Sequence, residues 1–156
     1  MAHIFQINIS PGGVPKFAVR CAEVTPLGLV GDAHHNVKVH GGVRRALCLY
    51  SLEHLLALQA EGHPIFPGAT GENLTLTGLP WDVLTPGARL RLGVDVRIEI
   101  TGYTAPCPKI IEAFADGEIR RMSQEAYPGW SRLYAQVLTP GLIGVGDPVR
   151  LESAES

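Results

Sequence analysis

Glycine and proline interrupt this chain at short intervals, and that spacing constrains the fold more than any other feature of the sequence. Of the 156 residues, 18 are glycine and 12 are proline. Their positions follow no periodic repeat of the kind that marks collagen or a linker. They divide the chain into many short segments, which favours strands and turns over long helices.

Several of these segments alternate apolar and polar residues, the pattern of a β-strand with one buried face. Leu52–Ala60 has a helical pattern instead, with Ser51 suited to cap its start and Gly62 to end it. We count about seven to nine short strands and two or three helices, without regular β-α-β alternation. The sequence therefore predicts a mostly β, barrel-like domain with a few short helices. The last two strand segments, 142–146 and 148–151, are expected to pair with each other.

The composition excludes several classes of protein. It is 46% hydrophobic and 18% charged with a net charge of −2. The chain therefore lacks the excess of basic residues that would indicate nucleic-acid binding. Three cysteines without a CxxC spacing form neither a disulfide framework nor a zinc knuckle. The first residues lack the pattern of a signal peptide, and no apolar run approaches the ~18 residues of a membrane span. We predict one reduced, cytoplasmic domain over residues 1–151, with a frayed tail at 152–156.

Cys107 is the most reactive side chain that the sequence offers. Pro108 suits the first position of a helix, and Ile110, Ile111 and Phe114 are expected to form its apolar face. Cys107 then lies at the N-cap, where unsatisfied N–H groups and the helix dipole favour a thiolate. The alternative interpretation is a small, buried and inert apolar residue.

Histidine and carboxylate side chains are concentrated between the second predicted strand and the next. Asp32, His34, His35 and His40 have the chemistry of zinc or iron ligands, although their spacing matches no zinc signature. Such a set would indicate a metal hydrolase. We favour a tight backbone turn at His40 that lines a pocket. A Cys–His hydrolase that uses Cys107 and His40 also stays open, since such partners need only be close in space.

Two further groups of polar residues are ambiguous. Glu72 and Asn73 open a strand, and they indicate either a bulge or hydrogen-bonded strand start, or a buried carboxylate that bonds to loop backbone or to a ligand. Lys16, Arg44 and Arg45 could bind an anionic ligand, although exposed cations are usually only solvated. The sequence contains no P-loop and no Gly-x-Ser-x-Gly elbow.

Five motifs occur in an order that is similar to one known family. They are Gly28-Leu-Val-Gly-Asp32, His40-Gly-Gly, Gly71-Glu-Asn-Leu-Thr75, Pro106-Cys107 and Gly146-Asp147. This order resembles the MOSC domain, named for the C-terminal domain of molybdenum cofactor sulfurases. The resemblance covers nearly the whole chain and is strongest to the small, stand-alone bacterial members.

The resemblance implies a β-rich barrel and a function for Cys107, the position of the family cysteine. In the family this residue either carries sulfur as a persulfide, for delivery to a metal–sulfur enzyme, or ligates molybdenum of a bound molybdopterin cofactor. The second role is that of relatives that reduce N-hydroxylated compounds. The family is also associated with pyridoxal phosphate binding. The implied pocket residues are Asp32, His40, Glu72 and Asn73, with Lys16 and Arg45 as anion contacts.

One position departs from the family pattern. The segment before the cysteine often reads Arg-x-Pro-Cys, and here Thr104 occupies the first, cofactor-binding position. An arginine binds phosphate-like anions through two parallel hydrogen bonds, which threonine cannot do. Lys16, Arg44 or Arg45 would have to compensate. The rival hypothesis is a non-catalytic barrel that binds a small ligand or partner, with Cys107 buried and inert.

Overall fold

The computed structural model describes residues 1–33 and 42–152 of the chain, and these residues contain eleven β-strands. The strands are β1 His3–Ile9, β2 Phe17–Val19, β3 Cys21–Thr25, β4 Gly28–Leu29, β5 Leu47–Ser51, β6 Leu74–Thr77, β7 Arg89–Leu92, β8 Val96–Tyr103, β9 Leu133–Thr139, β10 Gly141–Gly144 and β11 Val149–Glu152. Eight of them form one sheet in the order β11-β7-β8-β9-β5-β6-β1-β2, and the other three form a sheet in the order β10-β3-β4. Within the large sheet β5 and β6 are parallel, and the other neighbours are antiparallel.

The large sheet curls until β1 meets the chain just before β11. His3 forms an antiparallel bridge with Pro148, and the Ile4 N–H donates to the Asp147 carbonyl at 2.9 Å. This contact is an isolated bridge and not a continuous ladder, so the sheet is barrel-like without being a closed barrel. The predicted mostly β fold is confirmed.

Strand β1 contains a bulge that simple alternation does not reveal. Ile4 and Ile7 are both fully buried although they are three residues apart, and Phe5 between them is 41% exposed. The register against β6 shifts between Ile4 and Gln6. A bulge inserts one extra residue at such a shift, and this explains how both isoleucines face the core.

Strand β5 and the helix that follows it build the centre of the molecule. All five residues of β5 are buried, as expected of a strand that lies between two others and is covered on both faces. Helix α1, Leu52–Ala60, follows directly with the predicted bounds, and the Ser51 hydroxyl accepts the His54 N–H at 3.2 Å. The helix packs Leu55 and Leu58 into the core.

The helix predicted after Cys107 is a six-residue 3₁₀ helix, Pro108–Ala113. With three residues per turn, it buries Ile110 and Ala113 and leaves Ile111 49% exposed. The prediction that Ile111 lies on the apolar face is therefore wrong. Other 3₁₀ helices span Val43–Arg45, Trp81–Val83 and Ile119–Met122. None of the helices in the described part of the chain has the length and apolar character needed to cross a membrane.

The final strands pair with distant partners. Strand β10 pairs with β3 and β11 pairs with β7, so the predicted pairing between the last two strands is wrong. Strand β11 ends at Glu152, whose carboxylate lies 2.9 Å from Nε of Arg97. The strand thus includes the first residue of the predicted frayed tail, and residues 153–156 lie outside the described residues.

Candidate functional site

A pocket opens at one end of the large sheet, where β6 and β9 begin and β8 ends. Tyr103 at the end of β8 pairs with Leu133 at the start of β9, and Leu74 at the start of β6 pairs with Leu49 in β5. Side chains just beyond these strand ends therefore converge. The polar and titratable side chains among the described lining residues are Lys16, Arg45, Cys48, Thr70, Asn73, Thr104, Cys107, Lys109, Arg132 and Tyr134.

Cys107 lines this pocket and is half-buried. It is the N-cap residue of the 3₁₀ helix, with Pro108 at the first helical position, as predicted. Its side chain makes no capping hydrogen bond, and the opposite ends of so short a helix lie close enough for their partial charges to offset each other. The helix itself therefore adds little to the electrostatic field at Cys107, and the charged side chains of the pocket dominate it.

Cys48 is a second thiol in the same pocket, and its environment is different. It is buried in β5, with its Sγ 3.6 Å from Oγ1 of Thr104. Burial raises the pKa of the Cys48 thiol, which favours its neutral form. Cys21 is exposed on β3 and is not a lining residue. Of the three cysteines, Cys107 is the one that combines a place in the pocket with access to solvent.

Asp32 lies behind the pocket wall and organises it. Its Oδ2 accepts hydrogen bonds from Nζ of Lys16 at 2.8 Å and from Nδ2 of Asn73 at 3.0 Å. Its Oδ1 accepts the Ser10 N–H at 3.0 Å, and the side chain is only 1% exposed. A carboxylate with three donors is already satisfied. Its role is to hold Lys16 and Asn73 in position.

Asn73 joins three segments of the sheet just before β6 begins. Its N–H donates to the Cys48 carbonyl at 2.7 Å, and its Oδ1 accepts the Cys48 N–H at 3.0 Å. Its own carbonyl accepts the Asn8 N–H at 2.7 Å. The side chain therefore fixes β5 against β1 while it lines the pocket.

Glu72 is fully buried beneath the pocket and does not line it. Its carboxylate accepts hydrogen bonds from the Gly68 N–H at 3.0 Å, from Thr70 Oγ1 at 3.1 Å and from Thr75 Oγ1 at 3.2 Å. Burial raises the pKa of Glu72 above its ordinary value. Because the Gly68 carbonyl accepts the Lys16 N–H at 2.9 Å, Glu72 braces the loop against which Lys16 is held.

Arg132 is a pocket residue that sequence reasoning missed. It immediately precedes β9, is only 5% exposed, and donates from Nη1 to the Thr70 carbonyl. Its Nε and Nη2 are buried and have no hydrogen-bond partner among residues 1–33 and 42–152. In sequence, a single arginine before an apolar segment looks the same as a solvated surface cation. The sequence therefore did not indicate that Arg132 is buried in a pocket.

The charged side chains among the described lining residues all have one sign. Lys16, Arg45, Lys109 and Arg132 line it, and no aspartate or glutamate occurs among its described lining residues. Arg45 lies over the ring of Tyr134, with Cζ 5.1 Å from the ring centroid. The chain as a whole has a net charge of −2, so the pocket is a local positive region that favours anions.

The structure brings together most of the residues that the sequence singled out. Around Cys107 it places Lys16, Arg45, Asn73 and Thr104. The predicted pocket residues Asp32 and Glu72 support the wall from behind.

The histidines of the predicted metal set are a separate case. His40 lies outside the described residues, as do His34 and His35. Within residues 1–33 and 42–152, no three histidine, cysteine, aspartate or glutamate side chains are grouped as metal ligands.

Comparison with known proteins identifies the family. The sequence profile of the MOSC domain matches residues 36–150. This chain belongs to the MOSC family. The resemblance in the order of the motifs is thereby confirmed.

The relatives of this MOSC domain include bacterial and fungal proteins. It is 35% identical over 138 residues to Protein YiiM of Escherichia coli K12, across 85% of this chain and 60% of YiiM. It is 32% identical over 129 residues to a protein named Reductase from Gibberella moniliformis, across 80% of this chain and 22% of that protein. This chain thus spans less than two thirds of the length of either curated relative.

A solved structure supports the same fold. The crystal structure of YiiM from Geobacillus stearothermophilus matches this MOSC domain with a TM-score of 0.74 and 26% sequence identity. The match covers 98% of this chain and 76% of that chain.

Proposed function

We propose that this MOSC domain binds a molybdenum cofactor and that Cys107 is its reactive thiol. The observation that carries the proposal is the composition of the pocket. A half-buried thiol shares the pocket with four cationic side chains, and no carboxylate occurs among the described lining residues. Such surroundings attract anionic ligands.

The residues present fit a molybdopterin cofactor, which carries a phosphate group. A Cys107 thiolate is a soft ligand of the kind that binds transition metals. Lys16 and Arg132 would hold the phosphate, since both are cationic donors and two nitrogens of Arg132 have no hydrogen-bond partner in the described part of the chain. When bound, such a cofactor would supply two-electron redox chemistry. The fungal relative named Reductase supports a reductive activity, and reduction of N-hydroxylated compounds in the cytoplasm is the form we propose.

Sulfur carriage is the second candidate, and the exposure of Cys107 favours it. A persulfide on Cys107 would be anionic at neutral pH, and the same cations would stabilise it. Unlike Cys48, Cys107 is open to solvent, so a partner protein could collect the sulfur. In this role Cys107 would hold the sulfur between its donor and a metal–sulfur enzyme.

The test is to produce the protein in a host that makes molybdenum cofactor and to compare Cys107→Ser with the matched control Cys21→Ser. Molybdenum and pterin are measured per mole of protein, and intact mass reports an added sulfur atom. We expect the wild type and the Cys21 variant to retain one of these marks and the Cys107 variant to lose it by about tenfold or more.

Each other outcome has a clear meaning. A folded Cys107→Ser protein with undiminished molybdenum and undiminished sulfur would contradict both candidates. Absence of both marks from the wild type, together with a Cys107 that resists alkylation in the native state, would favour the non-catalytic binding module. Circular dichroism of each variant controls for misfolding.

A further inference from the structure

Arg132 has a buried guanidinium group whose hydrogen bonding is incomplete. The residue is 5% exposed, and its Nη1 donates to the Thr70 carbonyl. Nε and Nη2 find none in the part of the chain that the structure describes. These two nitrogens lie on the same edge of the guanidinium plane. Their parallel N–H bonds form the fork that pairs with two oxygens of a phosphate or carboxylate.

This burial cannot be relieved by loss of a proton, because arginine stays charged in proteins. An uncompensated buried charge is strongly unfavourable. Among the described residues, no carboxylate lies within 4.0 Å of Arg132 to form an ion pair. Residues 34–41 contain no aspartate or glutamate, and the other undescribed segment, 153–156, contains Glu155 beyond the end of β11.

Glu72 is the buried carboxyl group that interacts electrostatically with Arg132. It is not a direct partner, because no Glu72 oxygen lies within 4.0 Å of the guanidinium, and its two oxygens accept three hydrogen bonds from other groups. Burial also raises the pKa of Glu72, which weakens it as a counter-charge. The two buried nitrogens of the fork therefore have no partner among the described residues, and Arg132 is a lining residue of the pocket.

The place of Arg132 in the sheet brings this fork to the segment that carries the reactive thiol. The Thr104 N–H donates to the Arg132 carbonyl at 2.9 Å, and the Ser131 hydroxyl donates to the Thr104 carbonyl at 3.2 Å. Thr104 stands three residues before Cys107, and all three of Thr104, Cys107 and Arg132 line the pocket. Arg132 thus supplies a guanidinium to this wall from the segment just before β9. The family arginine would supply it from the position of Thr104, directly after β8.

We propose that Arg132 is the oxyanion-binding residue of the Cys107 pocket. Its Nε and Nη2 donate to two oxygens of a phosphate or carboxylate group, and the rest of the ligand then lies beside Cys107. Arg132 performs the bidentate contact for which Thr104 lacks the donors. The inference rests on the proposed function for the identity of the ligand, and on Arg132 alone for its anionic chemistry.

The test compares two alkylating reagents of similar size, iodoacetate and iodoacetamide, which differ in whether they carry a carboxylate. The same thiolate attacks the iodine-bearing carbon of both reagents and displaces iodide, so the ratio of their rates at Cys107 cancels changes in the reactivity of the thiol itself. Peptide mass spectrometry separates Cys107 from Cys21 and Cys48. We expect Arg132→Gln to lower the iodoacetate-to-iodoacetamide ratio by about tenfold, the value of one charge-assisted contact.

Two further variants control the experiment. Arg91→Gln removes an exposed arginine on β7, outside the pocket lining, and should leave the ratio unchanged. Arg132→Lys keeps the charge but loses the fork, and should give an intermediate ratio. If Arg132→Gln does not fold, Arg132→Lys and anion competition on the wild type decide the question.

Anion competition distinguishes the two possible oxyanions. Inorganic phosphate and acetate are each added to the wild type at constant ionic strength while Cys107 alkylation is followed. Protection by phosphate at lower concentration than acetate assigns a phosphate-bearing ligand, and the reverse assigns a carboxylate. An equal ratio in the wild type and both Arg132 variants, or no protection by either anion, would overturn the proposal.

The outcomes separate this inference from the proposed function. A wild type that shows Arg132-dependent anion protection but retains neither molybdenum nor persulfide sulfur keeps the inference and refutes the function. If wild type and Arg132 variants retain equal molybdenum and have the same alkylation ratio, the proposed function stands and the inference about Arg132 is refuted.

Discussion

Replacement of Asn73 by aspartate would place two carboxylates against each other inside the molecule. The Asn73 Nδ2 lies 3.0 Å from Oδ2 of Asp32, and both side chains are almost completely buried. At that separation two unit charges repel by about 5 kcal/mol for an effective dielectric constant of about 20. The Lys16 ammonium, 2.8 Å from the same oxygen, offsets part of this repulsion.

Proton uptake sets a ceiling on the cost. The pair escapes repulsion by binding one proton, and holding a proton on a carboxyl of ordinary pKa ~3.9 at pH 7 costs about 4 kcal/mol. Once protonated, the introduced carboxyl can donate to Asp32 as the amide did. We therefore expect Asn73→Asp to lower the free energy of unfolding at pH 7 by about 3–4 kcal/mol, or the melting temperature by roughly 6–16 °C.

The pH dependence gives the sharper test. In the folded variant the pKa of the introduced carboxyl is raised above its unfolded value, so the folded state binds more protons. The deficit relative to wild type is therefore small at pH 4 and grows as the pH rises, by about 1.4 kcal/mol per pH unit until the raised pKa is passed. Urea denaturation of both proteins at several values between pH 4 and pH 8 measures it.

Gln136→Glu provides a matched control. The Gln136 Nε2 lies 2.9 Å from Oε2 of Glu99, almost the same distance, but both side chains are partly open to solvent and Arg89 pairs with Glu99. The same chemical change there should cost about 1 kcal/mol or less. Equal losses in the two variants, or a deficit in Asn73→Asp that does not change with pH, would refute the reasoning.

Two other predictions concern the loop beneath the pocket. Because burial raises the pKa of Glu72, its ionisation disfavours the folded state as the pH rises above the ordinary pKa of 4.5. In urea titrations, the stability of Glu72→Gln relative to wild type should therefore increase from pH 5 to pH 8. A difference that stays constant over this range would contradict the prediction. A Cβ at Gly68, whose φ is +90°, would lie 2.4 Å from the Lys16 carbonyl oxygen, whereas one at Gly129, with φ +88°, would meet nothing within 4 Å. Gly129→Ala should lower the stability by about 1–2 kcal/mol through backbone strain. Thermal melting should show a loss of stability at least twice as large for Gly68→Ala. Similar losses in the two variants would show that the contact with Lys16 is relieved.

Local signals in the sequence were sufficient for some elements. The bounds of helix α1 follow from the capping residue Ser51 and a helical pattern, which depend only on neighbours in the chain. The bounds of β1 and the mostly β class also followed from short, punctuated segments. The position of Cys107 at a helix start followed from the proline after it.

Other features depend on residues distant in the sequence and could not be predicted. The bulge in β1 is defined by its register against β6, and the partners of β10 and β11 are strands far away in the chain. Local alternation shows which residues share a face but not which strand lies beside them. This is why the expected pairing of the last two strands failed.

The site shows the same division between sequence and structure. The residues that bear the chemistry could be recognised without a structure: a thiol at Cys107, the motif that contains Glu72 and Asn73, and a threonine in place of the expected arginine. Their roles depend on the folded arrangement. In the fold, Glu72 and Asp32 accept hydrogen bonds behind the pocket wall and do not line it, and the buried Arg132 lies beside Thr104. Charge and reactivity belong to residue types, whereas burial and hydrogen-bond partners arise only when distant segments pack together. Lys16 and Arg45 were therefore predictable as anion contacts, and the place of Arg132 in the pocket was not.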